Sequence, residues 1–244
     1  GAAGGGAASS SAPHADSRDM AFDAAGNLIE GDDGGVWKRT NARTNTGDWF
    51  SLNGSGLQIT EAHNVAYDAN SRVVMSGNQD TGTTRQLAPG GQAWLAMHNG
   101  DGGDVAVETR SRPGFSVVYT SFQNLGNFRR TVFDAANNAV QVDFPALNIT
   151  NGFGFFSPNF VNPAQVNTVD PLRLVFISGF GVFESLDQGE NLREVGTNVF
   201  GNNTPTPLAY GGRRNGAANP DVLYVGEGSV VLLRTNNSLA LNPT

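Results

Sequence analysis

Gly31-Asp32-Asp33-Gly34-Gly35-Val36-Trp37-Lys38-Arg39-Thr40 follows directly on the short apolar run Asn27-Leu28-Ile29-Glu30. Glycine takes positive φ freely, and aspartate tolerates it while bonding back to nearby backbone, so the Gly-Asp-Asp-Gly-Gly word predicts a turn. Apolar residues on both sides make it the turn of a β-hairpin. Weaker copies of the same strand-turn-strand unit recur down the chain, and a repeat of this kind decides a fold before any local assignment does.

Five units emerge, at about 13–56, 57–98, 99–146, 147–198 and 199–244, each offering four short strands, the period of a propeller blade. The first strands share a small alternating core: Met20-Ala21-Phe22, Val65-Ala66-Tyr67, Val105-Ala106-Val107 and Leu208-Ala209-Tyr210. Small residues suit strands crowded near an axis. The middle strands, such as Arg173 to Ser178, are continuously apolar, as strands covered on both faces should be. In the fourth unit the first strand is obscure and is expected within Phe153 to Phe160, inside a longer insertion, Asn148 to Val169. A β-sandwich gives no reason for a four-strand word repeated five times. The expected fold is therefore all-β, a β-propeller of four-stranded antiparallel blades with about five blades in this chain.

Composition narrows the partners. Among 244 residues there are 32 glycines and no cysteine, and a formal net charge of −7 leaves Lys38 as the one lysine. A nucleic-acid backbone or an anionic membrane surface is a poor partner for such a chain. No apolar run approaches the roughly 18–20 residues that span a bilayer. Zero cysteine fits an exported bacterial protein, secreted or at the cell surface. Residues 1–12, mostly Gly, Ala and Ser, read as a flexible linker ahead of a propeller domain at 13–244.

Ser185-Leu186-Asp187-Gln188-Gly189-Glu190-Asn191-Leu192 resembles the Asp-box of BNR propellers, with Leu192 in place of the usual aromatic residue. The resemblance implies a structural role for Ser185, Asp187 and Gly189, at the turn from the third to the fourth strand of a blade. A second set of words runs from His14-Ala15-Asp16 and Asp32-Asp33-Gly34-Gly35-Val36-Trp37 through Gly77-Asn78-Gln79-Asp80-Thr81-Gly82 to Asn99-Gly100-Asp101-Gly102-Gly103. Their order is similar to that in sortilin-like and xyloglucanase-like bacterial propellers. That resemblance implies a ring of more than five blades, commonly about seven, closed by further blades of the same parent protein or of another chain.

In a propeller, the turns entering first strands and those joining second to third strands open on one face. His14, Asp16, Asp32, Asp33, His63, Asn78, Gln79, Asp80, Asn99, Asp101 and Asp104 fall on such turns, so an acidic channel mouth is expected, the default place for a ligand. His14, Asp16, Asp32, Asp33, Gln79, Asp80, Asp101 and Asp104 are the candidate ligand-binding residues. Oxygen-rich turns suit Ca²⁺ better than Zn²⁺, and Asp32, Asp33 and Asp101 are the candidate calcium ligands. Two carboxyl groups about 5–9.5 Å apart are what a glycoside hydrolase needs, and Asp32, Asp33, Asp80 and Asp101 are the candidates for that chemistry. In xyloglucanase-like enzymes an Asp in a similar turn is catalytic, but its partner lies in a second propeller. A sialidase needs an arginine cluster beside a Tyr–Glu pair, for which the sequence carries no word. The expected function is a non-catalytic extracellular binding or adhesion scaffold for a glycan or protein, with a glycoside hydrolase module as the alternative.

Overall fold

A computed structural model describes residues 13–53, 57, 59–151, 156–179, 181–197, 207–237 and 241–243. The chain divides into two compact units, residues 1–62 with 79–81, and residues 63–78 with 82–244. Among the described residues no helix is long and apolar enough to cross a membrane.

The first unit is built on one antiparallel sheet in chain order: β1 (Asp19–Phe22), β2 (Leu28–Asp32), β3 (Gly35–Arg39) and β4 (Trp49–Ser51). Its central hairpin is tighter than the sequence suggested. Asp32 pairs with Gly35, leaving Asp33-Gly34 as the two-residue turn. Positive φ falls on Gly35, at 124°. The Asn53 amide closes over the turn, its Nδ2 donating to the Gly34 carbonyl at 2.8 Å and its Oδ1 accepting from the Val36 N–H at 3.1 Å. A Cβ on Gly35 would overlap that amide, so both backbone angle and close approach call for glycine there.

The second unit carries four sheets in succession. The first holds β5 (Ala62–Asp68), β6 (Val73–Asn78), β7 (Gly82–Gln86) and β8 (Trp94–Ala96), although Ala62 and the turn 79–81 group with the first unit. The next holds β9 (Ala106–Glu108), β10 (Phe115–Phe122), β11 (Gly126–Asp134) and β12 (Ala139–Asp143). A five-stranded sheet follows, in the order β13 (Asn148–Asn151), β17 (Asn191–Thr197), β16 (Gly181–Ser185), β15 (Leu174–Ile177), β14 (Ala164–Val166). The last holds β18 (Leu208–Arg214), β19 (Ala217–Glu227), β20 (Val230–Arg234) and β21 (Asn242–Pro243).

Side-chain alternation stacks these sheets face to face. On β15, Leu174 and Phe176 pack with Val117, Tyr119 and Val132 of the preceding sheet, while Val175 and Ile177 pack with Tyr210, Leu223 and Val225 of the following one. Val73 and Met75 of β6 likewise meet Val118 and Phe133. Each such fully buried side chain contributes roughly 1.5–3 kcal/mol. The innermost strands β9, β14 and β18 lie side by side. Four consecutive meanders, stacked by their faces and joined along their first strands, are propeller blades.

Two expectations are corrected. The fourth unit's first strand is Ala164–Val166, not a stretch within Phe153 to Phe160. The insertion first lays β13 parallel to the outer strand β17, then returns to the inner edge. Along that return Phe156 packs edge-on against Phe183 with centroids 5.0 Å apart, as a phenylalanine of a packing loop does. Phe153 and Phe155 lie outside the described residues. The small first strands are also not uniformly crowded. Ala106 and Tyr210 are buried, but Phe22 and Tyr67 are each 58% exposed, because a strand is covered only where another sheet lies on its face.

Candidate functional site

In the first unit the tight hairpin sets Asp33 at its tip. Arg18 grips it with a fork, Nε donating to Oδ1 at 2.7 Å and Nη2 to Oδ2 at 2.9 Å. The Arg18 hydrogen bond holds the Asp33 carboxyl below the usual carboxylate range, against the pull of desolvation. Asp16 and Asp80 join it, each carboxylate offering an oxygen within 4.8 Å of the others. Both sit in the left-handed region, at φ 63° and 57°, which Asp tolerates. His14 Nδ1 lies 3.9 Å from the Asp80 carboxylate. The acidic group is thus Asp16, Asp33 and Asp80. Asp32 is buried nearby in sequence, and neither of its oxygens has a hydrogen-bond partner. The Gln79 N–H donates to the Glu61 carbonyl at 2.9 Å. An all-oxygen donor set suits a hard cation, but Arg18 already supplies counter-charge to its most buried member.

Asp101 and Asp104 belong to the second unit. There the Gly-rich words fold onto each other. Asn78 Nδ2 donates to the Gly82 carbonyl at 2.9 Å, and the Gly102 N–H to the Asn78 carbonyl at 2.7 Å. Asp101 takes part through its backbone, its N–H donating to Gln123 Oε1 at 3.1 Å.

The same unit opens a pocket of about 220 Å³ where the innermost strands converge, lined by His63 and Asn64 of β5, Asp104 at the approach to β9, Ala164 and Gln165 of β14, and Leu208 of β18. His63 Nδ1 is 2.9 Å from the Gly102 carbonyl, which selects the Nδ1–H tautomer of the neutral ring. Asn64 Oδ1 accepts from the Val105 N–H at 3.3 Å. The Ala164 N–H donates to Asp104 Oδ2 at 3.0 Å. Desolvation pushes the Asp104 carboxyl up to about 6, outweighing that hydrogen bond and the attraction of His63. Gln165 Oε1 is buried with no hydrogen-bond partner. His98, by contrast, is buried in the core on Thr120 Oγ1 at 2.9 Å, and desolvation lowers it to about 4.

Two features escaped the sequence reading. The first is a buried ionic network. Glu184 accepts from both terminal guanidinium nitrogens of Arg234, Nη1 at 3.1 Å and Nη2 at 2.5 Å, from Arg193 Nε at 2.8 Å and from the Tyr210 hydroxyl. The arginines and the Tyr–Glu pair that a sialidase would need do come together, but Glu184, Arg234 and Tyr210 are no more than 2% exposed. They join the last two sheets. The second is the recurrence of the Asp187 turn, with its Asp-x-x-x-Asn spacing, at Asp23 and Asp134. Asp23, Asp134 and Asp187 each accept at Oδ1 from the backbone N–H four residues on, at 2.8, 2.8 and 2.9 Å. In the Ser185–Asn191 turn the Ser185 hydroxyl adds a bond from the Gly189 N–H at 2.8 Å.

No protein-family model matches this chain, and no curated protein does. Among solved structures it is similar to a GH74 enzyme of Niastella koreensis, at 16% identity and TM-score 0.43, over 93% of this chain and 30% of that one. It is also similar to the GH74 xyloglucanase from Xanthomonas campestris, at 14% identity and TM-score 0.44, over 89% of this chain and 37% of that one. A gluconolactonase from Xanthomonas campestris matches at 12% identity and TM-score 0.43, over 90% of this chain and 71% of that one. The chain spans about a third of the length of the two GH74 structures. Likeness at this level carries no argument about substrate or catalysis. The class of the protein rests on its own sheet order, a run of four-stranded β-propeller blades.

Proposed function

We propose that this chain is a non-catalytic binding propeller of an exported bacterial protein, with its ligand seat in the pocket between the innermost strands of the second unit. One observation carries the reading. Among the described residues the pocket combines hydrogen-bonding groups, from His63, Asn64, Asp104 and Gln165, with one carboxyl group. That equips it to orient a polar ligand, whereas glycoside hydrolysis needs an acid and a second carboxylate about 5–9.5 Å away. A glycan is the ligand class favoured here, since Leu208 and Pro163 offer apolar contact beside those polar groups. Kinship with Asp-box propellers is part of the proposal and rests on the Ser185–Asn191 turn. The test is retention on a glycan array by the wild type, lost in Asp104→Leu and Gln165→Leu. A blank array for the wild type would count against a glycan.

The alternative is hydrolysis through the acidic group of the first unit. Its observation is the closeness of Asp16, Asp33 and Asp80. Against it stands Asp33, tied by Arg18 and held ionised, which cannot serve as the proton donor. Cleavage of xyloglucan or β-glucan by the wild type, lost in Asp80→Asn, would establish this reading and displace the first.

A further inference from the structure

Taking the pocket of the second unit as the ligand seat, we infer that its ligand carries a protonated primary amine, seated against the carboxylate of Asp104 and the side-chain oxygen of Gln165.

Two acceptors of the lining are short of donors. Asp104 receives one backbone N–H, from Ala164. Gln165 Oε1 is buried and receives none. Among the described residues no lysine or arginine lines the cavity. A buried acceptor without a donor costs roughly 1–3 kcal/mol, and a desolvated carboxylate without a counter-charge costs more. A neutral sugar hydroxyl would satisfy Gln165 and leave the Asp104 charge uncompensated. An alkylammonium has three donors and a positive charge, and satisfies both. Desolvation raises the Asp104 carboxyl to about 6 against the attraction of His63, and an ammonium seated beside it would offset that desolvation. Leu208 and Pro163 remain for the carbon skeleton.

The pH dependence follows in sign. The ammonium binds the ionised carboxylate, so affinity is full above about 6 and falls as Asp104 takes a proton. The ionised fraction falls about tenfold between pH 7 and pH 5, and affinity should fall by the same factor. Two titratable groups line the pocket: Asp104, and His63 from β5. Ala164 and Gln165 from β14 and Leu208 from β18 do not titrate.

The same ammonium occurs on amino sugars and on lysine side chains, and calorimetry on the 244-residue chain separates them. The probes are a glucosamine trimer, its fully N-acetylated counterpart, and lysine amide within a short neutral peptide. Binding of the glucosamine trimer at least tenfold tighter than the N-acetylated trimer at pH 7 supports the inference for an amino sugar. The preference should shrink about tenfold at pH 5 and vanish in Asp104→Asn, where the carboxamide can still accept from Ala164 and preserve the fold. Binding of the lysine peptide alone, lost in Asp104→Asn, supports the same chemistry from a protein. Equal binding of both trimers, weakened in Gln165→Leu, keeps the pocket as the ligand seat and overturns the amine. No binding by any probe overturns the amine and leaves the pocket reading to the array.

Discussion

Asp104→Asn should make the protein more stable above pH 6 while removing the group on which ligand binding depends. The carboxyl of Asp104 moves from an ordinary 3.8 to about 6 in the fold, chiefly by desolvation. Its folded form holds a proton more tightly than its unfolded form. The stability it contributes is therefore complete below about 3.8 and is lost as pH rises through about 6. At about 1.4 kcal/mol per pH unit, the span corresponds to at most about 3 kcal/mol. Asparagine cannot ionise, and its Oδ1 can still accept from the Ala164 N–H, so the variant escapes this loss. Urea unfolding at pH 4 and pH 7.5 measures it. The two proteins should have similar stability at pH 4, and at pH 7.5 the variant should be the more stable, by roughly 1–3 kcal/mol. Stabilisation on removing a polar group is the usual mark of a group kept for function. Equal stability at both pH values, or a variant less stable at pH 7.5, would refute the reasoning.

Arg234→Met should cost about 3–5 kcal/mol, because it strips Glu184 of its principal counter-ion in a fully buried site; thermal unfolding should show a fall of roughly 2–4 °C per kcal/mol. Burial is the largest single influence and opposes the Glu184 charge, but the hydrogen bonds and charge of Arg234, with the hydrogen bonds from Tyr210 and Arg193, together outweigh it and hold the carboxyl below its ordinary 4.5, so this contribution is present above about 4.5 and fades on acidification. Gly35→Ala should destabilise the first unit by more than about 1 kcal/mol, and Asn53→Ala in the same molecule should recover part of that loss, since the Asn53 amide is what the new methyl meets; hydrogen exchange of the Val36 amide reports both. Arg18→Gln should make the melting temperature rise with millimolar Ca²⁺, reversibly by chelator, because three clustered carboxylates then lack their cation; a calcium response equal to the wild type's would contradict this role for Arg18.

The fold was legible where local chemistry repeats. Turn words rich in Gly and Asp and the continuous apolar run at Arg173 to Ser178 predicted hairpins and a doubly covered strand, and β15 is buried on both faces. The insertion was illegible because β13 pairs parallel to β17, more than forty positions away, and no period reveals such a partner. An aromatic filling a core from a loop and one on a strand read alike, so the Phe-rich stretch does not place the first strand of the fourth unit. At the candidate site the words gave the residue types but not their grouping. Asp33 and Asp80 were both expected at a channel mouth, and the structure sets them beside Asp16. Asp104 stands among the ligand-binding candidates, but no motif marks Gln165, which lines the same pocket from β14. Glu184, Arg193, Arg234 and Tyr210 come from four separate strands, so no spacing could collect them. The Asp-x-x-x-Asn turn was within reach, since Asp23, Asp134 and Asp187 each stand four residues before an Asn.

The most direct test of the ligand seat is the carboxyl-carbon NMR titration of Asp104, without and with saturating glucosamine trimer. The account predicts a midpoint near 6 in the free protein and a fall of at least one pH unit when the ligand supplies the counter-charge. A midpoint near 4 in the free protein, or one near 6 that the bound trimer leaves unmoved, would contradict it.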